Sequence, residues 1–122
     1  MNVEALLAAA QALLDEPTEA TETVWPIGAA ALIRQAVEAT VDDYWQARLP
    51  DMRWTTQRRK WLALPAYLGR RPELAAAEWT WSALSEACHH RDYDVGLTVE
   101  ELRGHLLAAA AFRQLVSEQL AA

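Results

Sequence analysis

Apolar residues recur three and four apart in five stretches of this chain, and no strand-length run alternates apolar with polar. That spacing places them on one face of a helix. With only 4 Gly and 5 Pro in 122 residues, and alanine abundant, long helices cost the backbone little and strands are not favoured. The expected fold is all-α, a four- or five-helix bundle. The length suits one domain, which at this size buries a core without disulfides or a metal. The expected organisation is a single helical domain over 1–122, with an N-terminal helix over 1–16, an acidic linker over 17–23 and the main bundle over 24–120.

Caps and prolines punctuate the helices. Val3, Leu6, Leu7, Ala10, Leu13 and Leu14 define the first. The second begins near Val24, with Thr23 as N-cap and Pro26 in the first turn, where a missing N–H costs little. Ala30, Ile33, Val37, Val41 and Tyr44 form its stripe, Trp45 widens it, and Pro50 ends it. Thr55 or Thr56 caps the third, whose apolar side is Trp61, Leu62 and Leu64. Pro65 is expected to kink or break it, and Gly69 to stop it. The fourth runs from Pro72 to about His90 and buries Leu74, Ala77, Trp81, Leu84 and Cys88. Trp79 and Trp81, two apart, then point in opposed directions: if Trp81 is inside, Trp79 faces outward. Thr98 and Glu101 form a capping box for the fifth. Its stripe of Leu102, Leu106, Ala109, Val116 and Leu120 adjoins a second one of Leu107, Ala111 and Leu115, a face wide enough for two neighbours.

Six Trp against one Phe is an unusual ratio. Either all six pack inside or at the core margin, or at least two meet a partner, where Trp is enriched among binding hot spots. The net charge of −6 argues against generic nucleic-acid binding, but the charge is segregated. Residues 1–43 hold eight acids and one Arg, residues 44–71 hold seven bases and one acid, and residues 72–122 hold eight acids and three Arg. Such blocks either steer a charged partner or neutralise one another across neighbouring helices.

The single Cys88 excludes an intrachain disulfide and fits a reducing cytoplasm. The first helix lacks a basic start, and Glu4 and Gln11 interrupt it, so it reads as amphipathic rather than as a secretion signal. No apolar run is long enough to cross a membrane.

Little catalytic chemistry is legible. Cys88, His89 and His90 are consecutive on a helix, fan apart and cannot converge on one metal ion. Ser85 and His89 are four apart and share a face, which permits a hydrogen bond without making a catalytic pair. The four Gly (Gly28, Gly69, Gly96 and Gly104) are scattered and form no phosphate loop. His89, His90 and Arg91 at a helix C-terminus suit the exposed carbonyls there without any chemistry.

The order of elements, the helix end LSEACHHRDYDV and the capped last helix resemble the HEPN family of small α-helical, commonly dimeric domains. The resemblance implies either a ribonuclease or a partner of a nucleotidyltransferase in a toxin–antitoxin pair. In the family's nucleases an Arg precedes a His with a short polar spacer of four to six residues between them. Here the positions before His89 and His90 are Ser82, Ala83, Leu84 and Ser85, and those before His105 are Thr98, Val99 and Glu100. None is basic, so the motif around Ser85, His89 and His90 is degenerate and no catalytic residue is assigned.

The stretches VWPIGAAALIRQAVEATVDDYW and WSALSEACHHRDYDVGLTVEELRGHL are similar to antitoxins of MenAT-type pairs, over roughly residues 22–110. This implies a non-enzymatic protein that neutralises a cognate nucleotidyltransferase-like toxin, is a homodimer when alone, needs no cofactor or metal, and contacts neither membrane nor nucleic acid. An acidic, Trp-rich helical protein suits the basic groove of an enzyme that grips tRNA and a nucleotide. The expected partner surface is Trp54, Arg58, Arg59, Trp61, Trp79 and the turn Arg91, Asp92, Tyr93 and Asp94. Two alternatives stand beside it. One is a divergent ribonuclease in which His89 or His90 works with Arg91 or Arg103 across a dimer. The other is a structural or ligand-binding helical homodimer.

Overall fold

A computed structural model describes residues 2–16, 25–89 and 97–122, with the side chain of residue 89 excepted. Five α-helices are present among them: α1 (Val3–Asp15), α2 (Trp25–Arg48), α3 (Gln57–Leu68), α4 (Pro72–His89) and α5 (Val99–Ala121). A short 3₁₀ turn, Pro50–Trp54, joins α2 to α3. No strand occurs among the described residues, and no helix is long and apolar enough to cross a membrane. The protein is an all-α bundle. The proposed Thr23 cap, the linker over 17–23, and His90, Arg91, Asp92, Tyr93 and Asp94 lie outside the described residues.

Side-chain oxygens satisfy the free amides at three helix starts. Asn2 Oδ1 accepts from the Ala5 amide at 2.8 Å, Thr56 from Arg59 at 3.2 Å and Thr98 from Glu101 at 3.1 Å. The Thr98 hydroxyl also donates to the Glu101 carboxylate at 3.2 Å. Leu49, extended at ψ 83°, takes the chain out of α2 before Pro50.

Pro65 does not break α3, which runs on to Leu68. A proline forfeits one intrahelical bond, here to the Trp61 carbonyl, and Pro65 stands only one turn from the end. The ladder resumes where the Gly69 amide donates to the Pro65 carbonyl at 2.9 Å. Gly69 itself has φ 80° and ψ 171°, a region essentially reserved for glycine, and there the chain turns toward α4.

Helix α2 is the hub, touching α1, α3, α4, α5 and the 3₁₀ turn. Its stripe Ala30, Ile33, Val37, Val41 and Tyr44 is buried as expected, with Trp45 beside it. Facing it are Leu84 and Ala77 of α4, Leu64 of α3, and Leu102, Phe112 and Val116 of α5. Thr40, buried in α2, keeps its hydroxyl bonded to the Ala36 carbonyl at 2.8 Å. Two expected core positions lie outside: Leu62 is 65% and Leu107 72% exposed. Ala111 is exposed too, so the second stripe of α5 contributes only Leu115 to the interior. Helix α5 packs against α2, α4 and α1, and no described helix covers Leu107 and Ala111.

Aromatic rings fill the space between α3, α4 and α5. Trp61 stacks on Trp81 (centroids 5.6 Å apart) and on Phe112 (5.4 Å). Trp45 meets Tyr44 and Tyr67 edge-on and donates its indole N–H to the Lys60 carbonyl at 3.2 Å. Such offset and edge contacts suit the ring quadrupoles and add to the area they bury.

The last helix latches the first at both ends. Arg113 of α5 reaches Glu4 (3.0 Å) and Asp43 of α2 (3.1 Å). Arg103 reaches Asp15 (2.7 Å) and the Leu14 carbonyl (3.3 Å). Lys60 pairs with Asp42 at 2.9 Å. The carboxylate of each pair is open to water, so each is screened and individually weak. Only Lys60–Asp42 joins the basic block to an acidic one; Arg103 and Arg113 belong to the acidic block over 72–122.

Candidate functional site

Of the six tryptophans, two lie outside: Trp54 is 78% and Trp79 is 71% exposed. Trp45 and Trp61 are buried, and Trp25 and Trp81 are half-buried. Trp61 is therefore removed from the partner surface expected of it. At 2% exposure, clamped between Trp81 and Phe112, it is a core ring. Its indole N–H has no hydrogen-bond partner, so it packs as a hydrocarbon and carries an unpaid donor. Trp81 lies partly inside and reaches Glu38 of α2, donating its N–H to the carboxylate at 3.0 Å. Its neighbour Trp79 then points outward, as the helical spacing requires.

The surroundings of the two exposed rings differ in sign. Trp54 ends the 3₁₀ turn with the Arg53 guanidinium 4.8 Å from its ring centroid, a cation–π contact. Arg58 and Arg59 follow, exposed, in the first turn of α3. No acid occurs in the sequence from Met52 to Pro72. Among the described residues no ion pair engages Arg53, Arg58, Arg59, Arg70 or Arg71. Trp79 sits on α4, where Glu73, Glu78 and Glu86 are the charges and no Lys or Arg occurs between Pro72 and His89. Ala75, Ala76, Ser82 and Glu86 are exposed on the same helix.

A groove of about 470 Å³ between the end of α3 and the start of α4 is lined by Pro65, Arg70, Arg71, Pro72, Leu74 and Glu78. Its arginines are partly committed, since Arg71 Nε donates to the Leu68 carbonyl at 2.8 Å. A smaller one of about 400 Å³ lies by Asp42, Asp43, Trp45, Arg53 and Lys60.

The three residues that the resemblance singles out are only partly described. Ser85 is half-buried on α4, while the His89 side chain and His90 lie outside the described residues. Arg103, one of the candidate cross-dimer arginines, is held within its own chain by Asp15 and Leu14. Among the described residues no group of three His, Cys, Asp or Glu side chains is placed to hold a metal ion. One pairing escaped the sequence reading. Thr80 Oγ1 and His105 Nδ1 are 2.8 Å apart across the α4–α5 seam. Burial lowers the His105 pKa, with Glu101 opposing. Thr80 is 1% exposed, so its hydroxyl meets no substrate, and the pair is a structural hydrogen bond. Nothing in the sequence joins residues 80 and 105; only the antiparallel packing of their helices does.

Comparison of the chain with known family models, with curated proteins and with solved structures found no match.

Proposed function

We propose that this chain is a non-enzymatic, HEPN-like antitoxin that neutralises a nucleotidyltransferase-type toxin by covering its active site. The partner class is the one implied by the resemblance of residues 22–110. The observation that carries the binding role is Trp79: a large ring, 71% exposed, on a helix whose only formal charges are acidic. An exposed Trp amid acids has no structural task within the chain, and such rings anchor interfaces once desolvated. The carboxylates of Glu78 and Glu86 complement the basic groove that an enzyme acting on tRNA and a nucleotide requires, and speed encounter with it. Inhibition is then steric, and no bond is made or broken.

Co-expression with the product of an adjacent reading frame, expected to be a nucleotidyltransferase, tests the reading. A stable complex is expected, with Trp79→Ala weakening it about thirtyfold, the effect of losing one hot spot of about 2 kcal/mol. A chain that stays free of that enzyme would sink the proposal.

A further inference from the structure

The groove between the end of α3 and the start of α4 carries opposite charges at its two ends. Arg70 and Arg71 stand at the entry to α4, and Glu78 stands about two turns along it. Arg71, Ala75 and Glu78 all line this groove, and their spacing of four and then three keeps them on one side of the helix. Trp79, 71% exposed, lies one turn beyond Ala75 on the same side. Among the described residues no ion pair engages Arg70, Arg71 or Glu78. The bond from Arg71 Nε to the Leu68 carbonyl fixes that guanidinium at its end of the groove.

Two pairs of these residues share a centre. Arg71 and Glu78 are placed symmetrically about the point between Leu74 and Ala75, and so are Arg70 and Trp79. A twofold axis through that point, perpendicular to α4, lays a second α4 antiparallel on the first. It brings each Glu78 to the partner's Arg71, an ion pair, and each Trp79 to the partner's Arg70, a cation–π contact. Parallel docking would instead set Arg71 on Arg71 and Glu78 on Glu78. At the crossing point Ala75 and Ala76 are exposed and offer only methyl groups, so two backbones can approach closely.

We propose that this face of α4 is a self-docking surface, on which a second copy of the chain seats antiparallel about Ala75. The charge pattern selects that occupant. A foreign partner would have to present an anion, a cation and a ring at this spacing, and the chain presents all three itself. The contact does not depend on the toxin-covering role. Where both hold, Trp79 cannot serve both at once, and the toxin must part the dimer.

Sedimentation equilibrium of the isolated full-length chain over a range of concentrations tests the proposal. The contact is small, so a weak dimer is expected, with Kd on the order of 10 μM. Trp79→Ala, R71E and E78R should each weaken it about tenfold or more, since every lost or reversed contact occurs twice. R71E mixed with E78R should form a heterodimer close to wild type in affinity. The double variant R71E/E78R should again self-associate. Both restore opposite charges across the twofold, and neither rescue is open to a chain that failed to fold. The adjacent gene product plays no part in this readout, so failure here leaves the toxin reading standing. A wild-type chain monomeric at about 500 μM would overturn the proposal. So would single charge reversals that dimerise like wild type, or a mixture no tighter than its two components.

Discussion

Trp61 and Trp54 are seven residues apart in one basic, acid-free stretch, yet one is 2% and the other 78% exposed. Trp61 has rings on two sides and an N–H bonded to nothing. Trp54 has a cation over its ring, and most of its surface is in water. The first is held for its area and the second is available for its chemistry. Residue type therefore says little about the role of a tryptophan here. What decides it is whether a neighbouring helix covers that side of the backbone.

The sharpest way to break this contrast is to remove the rings. Trp61→Ala should cost about 3–5 kcal/mol, because the cavity lies between two stacked rings that cannot easily collapse. That is a large share of the roughly 5–15 kcal/mol available to a domain. Urea denaturation of the variant measures it. Trp61→Phe should cost less than Trp61→Ala, since it keeps a stacked ring and discards the unpaired donor. If Trp61→Phe were as damaging as Trp61→Ala, the N–H would have a partner after all.

A smaller effect tests the α4–α5 seam beside this cluster. Burial lowers the His105 pKa below that of the unfolded chain, so the unfolded state takes the proton first. Stability should fall as pH drops below about 6.5, the ordinary histidine value, and on through the lowered folded pKa. Thermal melts across that range should show the slope reduced in His105→Gln. An unchanged slope would mean that other groups set it. The smallest effect is expected at the surface: Trp54→Ala and Trp79→Ala should each stay within about 0.5 kcal/mol of wild type in stability. A large loss in either would make that ring part of the core.

Local signals in the sequence placed the helices well. Thr56, Gly69, Pro50 and Thr98 act through neighbours within four residues, and each does in the fold what its chemistry suggests. The buried stripe of α2 was legible because a hub helix needs one unbroken apolar face. What failed was longer in range. Leu62 and Leu107 fit the periodicity, but no described helix covers them. Phe112 was overlooked as one ring in an alanine-rich helix, yet it is fully buried against Trp61. Of the candidate surface, Trp79 was readable from its two-residue offset to Trp81. The burial of Trp61 was not readable, because it depends on α4 and α5 arriving from elsewhere in the chain.

The latches from α5 to α1 bear on when the protein can be finished. Arg113 and Arg103 hold Glu4 and Asp15 from 109 and 88 residues away along the chain. A nascent chain cannot close the first latch until Arg113 has cleared the ribosome. Until then α1 has only α2 to lean on, and its side toward α5 stays wet. Closure of the bundle thus waits on α5, and a truncation between residues 103 and 113 would release the N-terminal helix from one of its two moorings.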